Sequence, residues 1–151
     1  MIAIVCVDDR NGMMFHSRRQ SQDRVMREDM LRECRGRRLY MDTYSGDLFK
    51  NMSHEETEIV IADDFARRAG DGDYCFFEKM EVERTFLTDR DVSRMEAIIM
   101  YHWNRRYPAD TYFPINLSDG CLSDREWKLL RMEEFRGSSH ERITKEVYQR
   151  I

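Results

Sequence analysis

The chain has 151 residues, 41% of them apolar, with a formal charge of −4 and a pI near 5.6. That length and apolar content supply one sizeable core, and no Pro/Gly/Ser-rich linker divides it, so a single domain over 1–151 is expected. The acidic balance excludes a global attraction to polyanions, and the apolar opening Met1 to Val7 reaches Asp8 and Asp9 too soon, without a basic leader, for a signal peptide or a membrane span.

Ile2 to Val7 reads as a central strand apolar on both faces, ended by the turn signal Asp8-Asp9-Arg10-Asn11-Gly12. A long loop follows to about Gln20. Ser21 caps a helix predicted to begin near Gln22; Asp23 favours its positive end, Met26, Met30 and Cys34 recur at four-residue spacing, and Gly36 stops it. Arg38 to Met41 reads as a second strand and Tyr44 to Asn51 as a short helical turn. Glu58 to Ala62 is a third strand, Asp63 to Asp73 a polar connection, and Tyr74 to Phe77 a fourth strand of β-favouring residues. Thr88 or Asp89 caps a helix through Met95, which leads into a buried strand at Ala97 to Tyr101. After the turn residues Asn104, Pro108 and Asp110, Glu126 to Phe135 and Ile143 to Ile151 form a hairpin around Arg136 to His140. Helices crossing between strands give an α/β class, closed by an antiparallel hairpin on a mostly parallel sheet.

Cys6, Cys34, Cys75 and Cys121 are far apart and form no CxxC pair, which favours buried reduced thiols over disulfides or metal ligands and makes a cytoplasmic location the expectation. His16, His54, His102 and His140 show no spacing suited to a metal pair. GxSxG, GxxxxGK[ST] and GxGxxG are all absent. Trp103, Arg105, Arg106 and Tyr107 interleave aromatic and basic groups, too short a run to argue for nucleic-acid binding.

Three stretches carry a resemblance. IAIVCVDDRNGMM, LYMDTY, and MYHW followed by ADTYFP, then Trp127 and the closing EVYQRI, occur in an order that resembles the dihydrofolate reductase-like superfamily. The resemblance implies a mostly parallel central sheet flanked by helices with a C-terminal antiparallel hairpin. It also implies reduction of a pterin or similar heterocycle by NADPH, assisted by an acid on the first helix. The chain departs from that pattern at its working positions. Arg19-Gln20-Ser21-Gln22 stands where the family has a Pro-Trp pair, and the acid's position falls near Met26, so the catalytic residue is unassigned. Glu78 to Leu87 contains no glycine where the family has a pair that lets backbone approach the cofactor pyrophosphate. Asp42-Thr43-Tyr44-Ser45 replaces the residues that hold the cofactor's phosphate.

Of the 25 basic residues 21 are arginine, and Arg18, Arg19, Arg24 and Arg27 cluster where the implied cleft would open; the alternative is a solvated face with local ion pairs. The leading reading is a dihydrofolate reductase-like domain without the usual NADPH site, binding a small anionic molecule or a partner. By resemblance its cleft would be lined by Arg18, Arg19, Met41, Tyr44 and Tyr101. One alternative is an NADPH-dependent reductase, which would require another acid such as Asp29 and a phosphate site built from Arg side chains. The other is a homodimer that buries Met13, Met14 and Phe15, expected to be exposed in the long loop, although that loop could also fold back on the core.

Overall fold

The computed structural model describes residues 1–79, 89–115, 117 and 127–151. Five parallel strands form the centre of the main sheet: β1 (Ile2–Val7), β4 (Arg38–Met41), β5 (Glu58–Ile61), β6 (Tyr74–Phe77) and β7 (Ala97–His102). The hairpin β9 (Trp127–Phe135) and β10 (Ile143–Arg150) completes the spatial order β5-β4-β6-β1-β7-β10-β9, with β10 antiparallel to both neighbours. The fold expectation is met. Its reason is visible in β1, flanked by β6 and β7 in register from Ile2 opposite Tyr74 and Ala97. A strand paired on both edges and covered on both faces has no position at which a polar side chain reaches water, hence the unbroken apolar run.

Alternate residues of β1 feed two cores. Ala3, Val5 and Val7 pack with Met13, Phe65, Phe77 and Met100, while Ile4 packs with Met26, Met30, Leu39, Phe76 and Ile99. Each of the larger side chains so buried contributes about 1.5–3 kcal/mol. The second core lies under α1 (Arg24–Glu33), whose Met26 and Met30 sit one turn apart on the inner face, with Cys34 just past the helix end. Gly36, at φ +74°, turns the chain after it. The smaller elements are α2 (Thr43–Gly46), a 3₁₀ turn (Asp47–Phe49), α3 (Phe65–Arg68) and α4 (Asp89–Arg94). The expected polar connection 63–73 therefore contains a helical turn that buries Phe65 and Ala66.

The segment after β1 departs from expectation. It forms β2 (Gly12–Phe15) and β3 (Arg18–Arg19), which join β8 (Thr111–Tyr112) in a second sheet of order β3-β2-β8. Met13 and Met14 are buried, so the expectation of exposure is corrected for both; Phe15 alone of the three is exposed. The β2–β3 turn is made by His16 (φ +49°) and Ser17 (φ +59°), both left-handed as a two-residue hairpin demands. Asp110 and Phe113 of the DTYFP stretch anchor it. The Asp110 carboxylate accepts the His16 N–H at 3.0 Å, the Asp110 N–H donates to Met14 O at 3.0 Å, and the Phe113 N–H donates to Asn11 O at 2.9 Å.

The turn between the two sheets is organised by buried Asp8. Its oxygens accept the N–H groups of Arg10, Gly12 and Tyr107 and the Gln20 amide, at 2.7–3.3 Å. A Cβ on Gly12 would meet Asp8 Oδ2 at 2.6 Å, Ala109 Cβ at 2.7 Å and Gln20 Nε2 at 2.7 Å. Three neighbours, two of them hydrogen-bonded to each other, cannot all yield. Gly12→Ala is expected to destabilise by about 1–3 kcal/mol, read as a lower urea midpoint with an unchanged slope.

Candidate functional site

The C-terminal ends of β1, β6 and β7 meet the β3–α1 segment and the first turn of α1 around a narrow cleft. Cys6, Phe76, Trp103, Met26 and Leu48 give it an apolar lining, and Arg19, Ser21, Gln22 and Glu78 give it polar edges. About 10 Å³ remains free inside, room for roughly one water. In an open parallel sheet this is where ligands enter, outside the carboxyl ends of the strands.

One edge is closed by an ion pair. Arg19 Nε donates to Glu78 Oε2 at 2.8 Å and a terminal nitrogen to Oε1 at 3.0 Å, the two-pronged geometry that suits a guanidinium. The same side chain donates to Tyr44 O at 3.2 Å and lies 4.1 Å over the Tyr44 ring, while the Arg19 N–H donates to the Tyr44 hydroxyl at 3.1 Å. Burial alone would lower the Arg19 guanidinium; its bonds to Glu78 outweigh that and hold it above its ordinary value. Lys79 Nζ also sits over Tyr44, at 4.4 Å.

Arg27, a turn into α1, donates to Gln22 Oε1 at 3.1 Å and makes no ion pair among the described residues. Its Nε is buried without a partner. Burial lowers its guanidinium from the ordinary value, Arg19 and Arg24 add repulsion, and Asp23 and Glu28 oppose them. Within the cleft, Cys6 faces Met26 sulfur to sulfur at 3.9 Å, and burial, then Glu78, pushes its thiol well up. Cys6 therefore serves as part of the cleft's apolar wall.

Behind the cleft, α1 is pinned to the closing hairpin twice. At its start Asp23, and not Ser21, is the N-cap: Oδ1 accepts Met26 N–H at 3.1 Å and Ser138 N–H at 3.0 Å, Oδ2 accepts Ser139 N–H at 2.8 Å and faces His140 Nδ1 at 3.0 Å. Burial would raise this carboxyl, but the donors from Ser139, His140, Ser138 and Met26 hold it well below the usual carboxylate range. Trp103 stacks on the His140 ring at 4.5 Å. Farther along, Lys145 Nζ contacts Asp29 Oδ2 at 2.8 Å and Glu33 Oε2 at 2.6 Å, the Tyr101 hydroxyl donates to Asp29 Oδ2 at 2.6 Å, and Arg131 reaches Glu33 at 2.6 Å.

Of the residues expected to line the cleft, Arg19 and Tyr44 come together at its edge. Arg18 is exposed on β3, Met41 is fully buried at the end of β4, and Tyr101 is fully buried beneath α1. Asp42 caps α2, accepting Ser45 N–H at 2.8 Å. Most of the glycine-free segment lies outside the described residues, as do Thr88, Cys121 and Glu126; Glu78 and Lys79 are its described part. The pairing of Asp23 with His140 and of Lys145 with Glu33 had no signal in the sequence, since the partners lie more than a hundred residues apart; only the place of Asp23 at the start of α1 was legible. Cys34 and Cys75 are buried free thiols, as expected; burial pushes the Cys34 thiol well up and the Cys75 thiol up to about 12. Among the described residues no helix is long and apolar enough to cross a membrane.

No protein-family model and no curated protein matches this sequence. Among solved structures, a dihydrofolate reductase from Enterococcus faecalis, complexed with NADP(H) and RAB-propyl, superposes with a TM-score of 0.62 at 11% identity, over 99% of this chain and 95% of that one. Taken with the strand order and the closing hairpin, the likeness shows that this chain has a dihydrofolate reductase-like fold.

Proposed function

We propose that this domain binds a small anion at the first turns of α1, where Arg27 is electrostatically coupled to Arg19 of the cleft edge. The observation that carries the reading is Arg27. Its Nε is buried and unpartnered, and the repulsion from Arg19 and Arg24 is met by Asp23 and Glu28, so the cost that remains is mainly that of a buried donor without an acceptor. A phosphate or carboxylate there would accept from Arg27, and a guanidinium offers paired donors to either. Arg19 contributes mainly charge, because its own donors are engaged by Glu78 and Tyr44. The expected result is a saturable rise in thermal midpoint with pyrophosphate at constant ionic strength, lost in Arg27→Met. Chloride at the same ionic strength should give none. A shift that survives Arg27→Met would sink the reading.

A second reading, reduction of a heterocycle by NADPH, is supported by the fold and by the NADP(H) named for the Enterococcus faecalis structure. The described residues do not fit that cofactor's reacting end. The cleft leaves about 10 Å³, Met26 presents a thioether where the implied acid would stand, and Asp29 is held by Lys145 and Tyr101. Anion binding at Arg27 needs none of these to move.

A further inference from the structure

Asp23 and His140 latch α1 to the closing hairpin, and Ser21 extends that pair into a hydrogen-bonded series that neither the latch nor the anion reading requires. Ser21 Oγ lies 2.9 Å from His140 Nε2, and His140 Nδ1 lies 3.0 Å from Asp23 Oδ2. Elementary donor counting fixes the proton. Both oxygens of Asp23 already accept backbone N–H groups, and a carboxylate offers only lone pairs, so His140 Nδ1 carries the hydrogen that faces it. In the neutral ring Nε2 is then a lone pair directed at a hydroxyl. That is the arrangement in which an imidazole serves as general base to a serine, its tautomer set by a buried carboxylate.

The surroundings separate the three residues by role. Asp23 and His140 are both buried, and Trp103 stacks on the ring. Ser21 is half-buried and lines the cleft, so its oxygen is the member of the series that a substrate can reach. The Tyr107 hydroxyl, 3.2 Å from Nε2, is a competing partner for the same lone pair. The start of α1, two residues beyond Asp23's neighbour Gln22 in the direction of the chain, brings partial positive charge to this side of the cleft.

We propose that Ser21 is an acyl-accepting nucleophile and that the chain hydrolyses esters of the smallest carboxylic acids. As Ser21 Oγ bonds to the acyl carbon, its proton passes to His140 Nε2; the ester C–O bond breaks and the departing alcohol takes that proton. Water then attacks the acyl-serine, yields a proton to the same nitrogen, and releases the carboxylic acid as the proton returns to Ser21. No oxidant, metal or cofactor enters the balance. The narrow free volume and the apolar wall of Cys6, Met26, Leu48 and Trp103 select for the smallest acyl groups, and even an acetyl group enters only as these wall side chains give way.

The test is covalent labelling of the intact chain with an ethyl fluorophosphonate, in which the Ser21 Oγ–P bond forms as fluoride leaves. The expected product carries one phosphonyl group, mapped to Ser21, and p-nitrophenyl acetate turnover should be lost together with the label in Ser21→Ala, a half-buried position whose change leaves Asp23 in place. His140→Gln should slow labelling on the order of 100-fold. If that variant fails to fold, the Ser21→Ala comparison decides alone. No adduct, an adduct on another residue, or acetate turnover that survives Ser21→Ala overturns the proposal and leaves the series as a purely structural latch.

Discussion

Lys145→Met should destabilise the fold by about 3–5 kcal/mol at neutral pH, the range expected when one partner of a buried ion pair is removed. The Lys145 side chain is 3% exposed, and Asp29 and Glu33, themselves 12% and 18% exposed, contact its ammonium at 2.8 and 2.6 Å. Arg131 still serves Glu33 and the Tyr101 hydroxyl still serves Asp29, so the greater loss falls on Asp29, whose remaining cation, Arg32, is at 3.4 Å on the exposed side. The sign of the pH dependence separates this from a packing defect. Burial raises both carboxyls, but Lys145 first, then Tyr101 for Asp29 and Arg131 for Glu33, bring them below their ordinary values. Groups lowered in the folded state contribute stability that is complete above their unfolded values, about 3.9 and 4.3, and is lost as pH falls through the folded ones. In Lys145→Met burial prevails, the Asp29 carboxyl moves up, and protonation then favours the folded state. The deficit should shrink as pH is lowered from 7 toward 4. A deficit independent of pH, measured by urea unfolding across that range, would mean that lost packing and not the stranded charge is responsible.

Asp23→Ala should cost about 2–4 kcal/mol, because one side chain caps α1 and also holds the β9–β10 turn. Removing it strands the Met26, Ser138 and Ser139 N–H groups and the His140 ring, three of them on a segment more than a hundred residues away. Asp23→Asn should recover part of the loss, since its carbonyl oxygen can keep two of the donors while its NH₂ meets the others. Hydrogen exchange at Ser138 and Ser139 would locate the effect. Exchange unchanged at the hairpin turn, with only α1 affected, would reduce Asp23 to an ordinary cap.

The main sheet was legible because its strands are buried on both faces and read as unbroken apolar runs, as in Ile2 to Val7 and Ala97 to Tyr101. The second sheet was hidden for a specific reason. Its hairpin turns on His16 and Ser17, both at positive φ, where sequence signals rely on Asn-Gly or Gly, and its third strand is the two-residue Thr111–Tyr112. Met13 and Met14 then read as loop residues, although β8 and the core cover them. At α1 both Ser21 and Asp23 are good caps by type. Only the arrival of Ser138, Ser139 and His140 from the far hairpin decides between them, and it turns Ser21 toward the cleft. Arg19 and Tyr44 were singled out through the resemblance and contact each other, whereas Glu78, which pairs with Arg19, lay in a segment read for its missing glycines.

On a dihydrofolate reductase-like scaffold, the proposed anion site lies at Arg27 on the first turns of α1 and does not need the closed cleft interior. Its most direct test is the thermal-unfolding midpoint titrated in parallel with pyrophosphate and with NADPH, on the natural chain and on Arg27→Met. A ligand at 100-fold excess over its dissociation constant stabilises by about 2.7 kcal/mol, well within detection. The account predicts a saturable pyrophosphate shift that Arg27→Met abolishes, with any NADPH shift abolished by the same substitution because only its phosphates engage Arg27. Micromolar NADPH stabilisation that persists in Arg27→Met, with no response to pyrophosphate, would contradict it.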